Sequence, residues 1–331
     1  MTLAANETYD RSLPSPDARA ACATAVNVPI MRAGILAQEF CRTVSHAKVE
    51  AIFERCFYLR HRDKFVCFGE PDIGNGPLTL AGNLRLSNEK FRPGLSAAVC
   101  DRHILIGDSI RLTLDHTKSW RPPPWPACPL PRALSETCAT LAQCAAIEAP
   151  HESLARCVSG RRETSRYQPP LARIAAPRIA IFERWLSGAL DARAIPAIAC
   201  REAIQGLIGL GPGLTPSGDD FLVGTLASLE AIGERKAHAA LARAITGIAG
   251  ALTAPLSACF LRAAAAAHFG EDLHLAVSSA LTGDADTAIK TAGTIGHSSG
   301  WDMMAGIVTT LRIAAAARLG TRPAAQAVAF S

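Results

Sequence analysis

Two strings in the sequence combine residue types that do chemistry. The first is Gly209-Leu210-Gly211-Pro212-Gly213-Leu214-Thr215-Pro216-Ser217-Gly218-Asp219-Asp220, followed by the apolar run Phe221-Leu222-Val223 and Leu226. Glycines, prolines and hydroxyl residues running into a helical pattern predict a loop that feeds a helix. Successive N–H groups in such a turn converge on an anion. The substrate-binding candidates are therefore Gly211, Gly213, Thr215, Ser217 and Gly218, with Ser217 as either the helix cap or a hydroxyl donor to the ligand. The spacing of Gly213 and Gly218 is that of a nucleotide-binding loop, yet Asp219 stands where that loop requires lysine, which excludes the nucleotide reading. Asp219 and Asp220 are candidate catalytic carboxylates. Beside an anion they need a proton, a cation or an arginine, or else they hydrogen-bond the loop's own amides.

The second string is Ile295-Gly296-His297-Ser298-Ser299-Gly300-Trp301-Asp302, ahead of a helix through Met303, Ile307 and Leu311. His297 offers a general acid or base near neutral pH, and Ser298 and Ser299 offer hydrogen bonds to an oxyanion. Asp302 is placed to orient the histidine or to join Asp219 and Asp220 around a magnesium ion. For both strings the plain alternative is a helix cap, since acidic and hydroxyl residues favour the positive end of a helix. His268 and His274, flanking Gly270-Glu271-Asp272, read as surface or packing residues. Gly74 to Pro77 and Gly82-Asn83 read as turns, and Arg161, Arg162 and Arg166 as a solvated run.

The elements that position these strings fall into two parts. The chain has 331 residues, 49% hydrophobic and 19% charged, enough for two cores and far from a disordered composition. Residues 1 to 25 lack periodicity and are expected to form a mobile tail. Residues 26 to 126 carry short apolar runs between turn residues, with strands expected at Phe65 to Phe68, Leu78 to Leu80, Ala97 to Cys100, His103 to Gly107 and Ile110 to Leu114. Asp101-Arg102 makes a tight turn between two of them. Strands at this spacing predict a small antiparallel β-barrel. Arg121-Pro122-Pro123-Pro124-Trp125-Pro126 cannot continue a sheet and marks the boundary. From residue 127 to 331, alanine, leucine and arginine recur at helical spacing, with breaks near Gln168-Pro169-Pro170, Ile195-Pro196, Gly206 to Pro216, Ala254-Pro255 and Gly293 to Gly300. The expected fold is α+β, a barrel followed by an all-α bundle that carries the glycine-rich loop.

Composition narrows the partners. Eleven cysteines at irregular spacing, with no metal-binding pattern, read as reduced thiols. The opening residues are interrupted by Asn6, Glu7, Asp10, Arg11 and Asp17, so no export signal is read and a cytoplasmic setting is expected. The uncharged stretch from Ala244 to Leu261 is broken by Gly247, Gly250, Thr253, Pro255 and Ser257, which argues against a membrane span. A net charge of +5 spread along the chain gives no case for nucleic acid, whereas a small anionic metabolite or phosphate suits it.

On these two strings, with a Thr253 to Ser257 segment between them, the chain resembles the AllH family over roughly residues 26 to 320. That family is one of three proteins assigned to the oxamate carbamoyltransferase of anaerobic allantoin breakdown. The resemblance implies a subunit that, with other subunits, interconverts oxalurate and phosphate with oxamate and carbamoyl phosphate. The Ser-Thr-Arg-Thr phosphate loop of ordinary transcarbamoylases is lacking, and Glu163-Thr164-Ser165-Arg166 is only a superficial echo. The expected phosphate seat is the amides from Gly211 to Gly218 with Thr215 and Ser217, while His297 moves a proton. Two other readings stay open: a metal-assisted hydrolase of a small amide or ureide, and a non-catalytic subunit for metabolite binding or assembly.

Overall fold

The structure, a computed structural model, describes residues 25–84, 91–157, 169–191 and 197–320. The tail read at the start of the chain and the Arg161, Arg162 and Arg166 run lie outside the described residues, apart from Ala25. Two compact units emerge: residues 25–61, Val66–Ile73 and Thr79–Ser119 form the first, and Arg62–Phe65, Gly74–Leu78 and 120–320 the second.

The first unit is built on β1 (Val26–Gly34), α1 (Ile35–Thr43), β2 (His46–Ile52), β3 (Cys56–His61), β4 (Lys64–Gly69), β5 (Thr79–Gly82), β6 (Ser96–Cys100), β7 (His103–Ile106), β8 (Ile110–Thr113) and β9 (Lys118–Trp120). The strands run in the order β5-β4-β3-β2-β6-β7-β8-β1, and β1 pairs back onto β5, closing an eight-stranded barrel to which β9 is added beside β1. Closure leaves the ring no exposed edge. Alternation sets which side chains fill it: Ala97 and Val99 on β6, Ile104 and Ile106 on β7, and Ile110 and Leu112 on β8 are buried while their neighbours face outward. Cys100 pairs with His103, so Asp101-Arg102 forms the expected two-residue turn. The barrel departs from pure antiparallel pairing at β1–β8 and β4–β5, which are parallel. The sequence reading drew no helix here, yet α1 buries Ala37, Phe40 and Cys41 in the barrel's apolar cluster.

The second unit is helical: α2 (Pro131–Glu148), a 3-10 turn (Leu154–Cys157), α3 (Pro170–Leu190), α4 (Ala197–Gln205), α5 (Ser217–Ala231), α6 (Arg235–Leu252), α7 (Pro255–Ala265), α8 (Glu271–Thr282), α9 (Ala285–Ala292) and α10 (Ser299–Arg318). Proline opens α2, α3 and α7, where its missing N–H costs nothing. The stretch from Ala244 to Leu261 is two helices broken at Thr253-Ala254, and no helix among the described residues is long and apolar enough to cross a membrane.

The centre of this unit is the pair α5 and α10. Every residue of α5 except Glu230 is buried, and on α10 every residue from Gly300 to Ala315 except Met303 and Arg312. Helices covered on all sides need mainly apolar residues all round, which both sequences supply apart from buried Ser217, Asp219, Asp220, Thr225 and Ser228 on α5 and Asp302, Thr309 and Thr310 on α10. The two backbones approach through glycine: a Cβ on Gly224 would overlap the Met303 carbonyl oxygen, and one on Gly306 the Phe221 carbonyl oxygen. This contact carries the functional argument, because it packs together the N-terminal halves of the two helices, ahead of which both strings stand as loops that are largely exposed or half-buried.

Candidate functional site

The loop ahead of α5 is fixed by its own hydrogen bonds. Leu210 N–H donates to the Leu207 carbonyl (3.0 Å), Gly218 N–H to that of Leu210 (2.9 Å), and the Asp219 and Asp220 amides to that of Pro216 (2.9 and 3.1 Å). Gly209, Gly211 and Gly213 adopt φ of +74°, +117° and +91°, which only glycine takes without strain. Among the described residues, the amides of Gly211, Gly213, Leu214, Thr215 and Ser217 donate to no group. They are the free donors an anion requires. Gly218 departs from the expectation: its amide is spent on Leu210, and a side chain there would overlap the Leu207 carbonyl, so this glycine serves close packing.

Asp219 and Asp220, adjacent in the first turn of α5, have opposite environments. Asp219 Oδ1 accepts from Gly209 N–H (2.9 Å), and Oδ2 accepts from Ser257 Oγ–H (2.6 Å) and the Thr253 hydroxyl. The carboxylate thus ties the start of the loop to the α6–α7 junction. Burial pushes its pKa up, while Ser257, Thr253 and Gly209 pull it back. Asp220 is also buried, but its Oδ2 has no hydrogen-bond partner. Burial drives this carboxyl well above the ordinary range, with the Asp302 and Asp219 charges adding to the shift and the Ser299 and Thr215 hydroxyls opposing it. Asp219 has donors on both of its oxygens, whereas Asp220 keeps one oxygen without a hydrogen-bond partner and its pKa is pushed up by burial.

The two strings meet. Thr215 Oγ1 and Ser299 Oγ are 3.1 Å apart, joining residues 84 positions distant in sequence. One hydroxyl donates to the other, and both act on the carboxyl of Asp220. Asp302, in the first turn of α10, is fully buried. Its Oδ1 accepts from Ser153 Oγ–H (3.0 Å) and Leu154 N–H (2.7 Å), whereas Oδ2 has no hydrogen-bond partner. Burial raises its pKa, and Leu154, Ser217, Ser153 and Ser298 lower it in turn.

His297 lies elsewhere than the sequence suggested. Its ring is 84% exposed, and Nε2 meets Glu152 Oε1 at 3.1 Å. Asp302 does not orient it, because Oδ1 is committed to the adjacent Ser153-Leu154 segment. Residues 152 to 154 thus engage the second string twice, Glu152 on its exposed side and Ser153-Leu154 on its buried side. Glu152's carboxylate is held below its ordinary range by its own backbone N–H and then by His297.

The capping alternative holds in part: Asp219 and Asp220 stand in the first turn of α5 and Asp302 in that of α10, where acidic residues favour a helix start. Pro216 precedes α5 and Ser298 precedes α10, but neither makes a side-chain capping bond. A cap does form on α9, where Asp284 accepts from Thr287 N–H at 3.0 Å. The magnesium reading meets a donor set that does not fit: Asp219's oxygens are turned toward three hydrogen-bond donors. Among the described residues, no group of three or more His, Cys, Asp or Glu is arranged to hold an ion. His274 is a packing residue as read, its ring stacked on Trp125 at 3.8 Å.

Ser153, Leu154, Glu152, Gly224 and Gly306 were missed from sequence. A single serine some 150 residues from its partner leaves no local trace. The two helical glycines leave one, as costly residues inside otherwise strong helical patterns.

Comparison with known proteins falls on this region. Residues 207–311 match the family model described as oxamate carbamoyltransferase subunit AllH. The match takes in both strings and the α5–α10 contact, and is narrower than the span over which the resemblance was drawn. Neither a curated protein nor a solved structure matches the chain.

Proposed function

We propose that the junction of the two strings is the ligand site of a subunit acting in carbamoyl transfer of the oxamate carbamoyltransferase type, converting oxalurate and phosphate to oxamate and carbamoyl phosphate or the reverse. The observation that carries this is the 3.1 Å contact of Thr215 and Ser299, which joins a loop of free amides to a buried, unpartnered carboxyl. Both lie inside the matched segment.

Phosphorolysis of a ureide needs a seat for phosphate, donors for the oxyanion that develops on the carbamoyl carbon, and a proton for the departing nitrogen. The amides of Gly211, Gly213, Leu214, Thr215 and Ser217 serve as the seat. The Thr215–Ser299 hydroxyl pair serves the oxyanion, with Ser298 as a further donor. Asp220, kept protonated by burial, serves the nitrogen. A phosphate oxygen attacks the carbamoyl carbon, the carbon–nitrogen bond breaks, oxamate's nitrogen takes the proton from Asp220, and the phosphate's own proton restores the carboxyl. Asp219 positions the loop. Asp302 holds the second string and raises Asp220's proton affinity. His297, exposed beside Glu152, is the second proton-handling candidate, and no step is assigned to a metal.

The test is carbamoyl phosphate formation from oxalurate and phosphate by the purified chain and by the complex that co-purifies with it. Asp220→Asn lowers kcat by at least ~100-fold, the scale of general acid catalysis, while His297→Ala changes it by less than ~10-fold. An unchanged rate in Asp220→Asn within an active complex overturns the catalytic assignment, and phosphate binding without turnover would then give this chain a binding role.

A further inference from the structure

Two of the described cysteines share one face of the β3–β4 hairpin in the barrel. The strands are neighbours joined by Arg62-Asp63, and the rings of Phe57 and Phe68 stack across them at 5.0 Å. Phe57, Leu59, Val66 and Phe68 belong to the barrel's apolar cluster, so alternation turns Cys56, Tyr58 and Cys67 to the opposite face. In this register Cys56 stands across from Gly69, where an added Cβ would lie 3.5 Å from the Cys56 Cβ, and Cys67 stands across from Tyr58. The two cysteines are thus diagonal neighbours on one face. Their thiols hydrogen-bond to each other, and the Tyr58 hydroxyl reaches the Cys67 sulfur.

The pair is asymmetric. Cys67 is buried and Cys56 half-buried, so a small reagent from solvent meets Cys56 first. The Cys67 S–H has two acceptors, the Phe68 carbonyl at 3.7 Å and the Cys56 sulfur. The hydrogen bond from Cys67 lowers the Cys56 pKa, burial opposes it, and the neighbouring Arg55 guanidinium lowers it further. The same bond, and then burial, raise the Cys67 pKa, with Tyr58 opposing. Thiolate, the nucleophilic form, therefore collects on the accessible sulfur, with a protonated thiol held against it.

We propose that Cys56 and Cys67 form a peroxide-oxidisable dithiol, in which Cys56 takes up the oxygen and Cys67 closes a reversible disulfide between β3 and β4. The Cys56 thiolate attacks one oxygen of hydrogen peroxide, the O–O bond breaks, and the other oxygen leaves as hydroxide, which takes a proton to become water. Cys56 is now a sulfenic acid. The Cys67 sulfur, already in contact with it, attacks the Cys56 sulfur, the S–O bond breaks, and the oxygen leaves as a second water with the proton of the Cys67 thiol. Each sulfur gives up one electron, and the peroxide is reduced to water. The product is a covalent staple across two barrel strands, and an external dithiol returns it to the reduced pair.

The experiment treats the reduced full-length chain with an equimolar dose of hydrogen peroxide, blocks the remaining thiols with N-ethylmaleimide, and maps disulfides by mass spectrometry of the unreduced digest. The expected product is a Cys56–Cys67 link, formed ahead of any other pairing of the eleven cysteines and removed by dithiothreitol. In Cys67→Ser, Cys56 accumulates as sulfenic acid and is trapped by dimedone at least ~5-fold more than in wild type, because no thiol resolves it. In Cys56→Ser, Cys67 stays reduced at the same dose. Serine keeps the size of each site, and the wild-type map decides alone if either variant fails to fold. A wild-type chain whose first oxidation falls on another cysteine, or whose Cys56 is oxidised without linking to Cys67, overturns the proposal.

Discussion

Asparagine placed at position 219 or at position 220 makes the same chemical change one residue apart, and the structure predicts opposite effects on stability. Asp219 accepts from Gly209 N–H, Ser257 and Thr253. Hydrogen bonds to a charged group contribute about 1.5–3 kcal/mol each. The gross loss is offset in part, because burial raises this carboxyl's pKa and every unit of such a shift costs about 1.4 kcal/mol. The two hydroxyls can turn to other acceptors, whereas the Gly209 amide cannot, since a positive φ and the nearby Leu252 carbonyl fix its backbone. The net cost of Asp219→Asn is about 2–4 kcal/mol, a fall in melting temperature of roughly 5–12 °C for a helical unit of this size.

Asp220→Asn removes instead a carboxyl with an unpartnered buried oxygen, so it leaves the melt unchanged or raises it, by about 0.5–2 kcal/mol. The sign of its pH dependence follows from linkage. Asp220's pKa is raised on folding, so the carboxyl's contribution is fully present below the unfolded value, about 4, and is lost as pH rises through the folded value. The advantage of Asp220→Asn over wild type therefore grows from acid toward neutral and alkaline pH. Thermal melts of the three proteins at a series of pH values read all of this. Equal destabilisation by the two substitutions would refute the division of labour between the adjacent aspartates.

Gly306→Ala forces a methyl group against the Phe221 carbonyl and the Thr225 amide, which costs about 1–3 kcal/mol or more by denaturant unfolding, whereas Gly247→Ala, with open space around it, is neutral or stabilising. Ser153→Ala removes one of the two donors to Asp302 Oδ1 and lowers stability by about 1–2 kcal/mol, a loss that chemical denaturation detects. His297→Ala leaves the melting temperature unchanged, as an exposed pair with Glu152 contributes little.

Patterns that repeat locally were legible in the sequence. The strands at β4 to β8 and the helix breaks at Pro170, Pro255 and the two strings follow from alternation, proline and glycine, and the structure has them; the break read at Ile195-Pro196 lies outside the described residues. The α+β architecture came with them. The parallel pairings that help close the barrel were not legible, because partners distant in sequence carry no turn signal. At the site, residue types were informative where backbone geometry demanded them, as with Gly209, Gly211 and Gly213. The partners of each carboxylate were not. Asp219 and Asp220 are alike as letters, and only the burial of α5 and the placement of Thr253, Ser257 and Gly209 make one saturated and the other open. The expected His297–Asp302 pairing failed for the same reason: neighbours in sequence faced opposite ways, one to solvent and one to the interior.

The central claim is that two strings more than eighty residues apart work as one site, and a double-mutant cycle of Thr215→Val and Ser299→Ala on carbamoyl phosphate affinity tests it most directly. Calorimetry on wild type, both single variants and the double variant should give a coupling of about 0.5–1.5 kcal/mol, because the hydroxyls share a hydrogen bond and, in the proposed site, one ligand. Losses that simply add, or an affinity that neither substitution changes, would contradict the account.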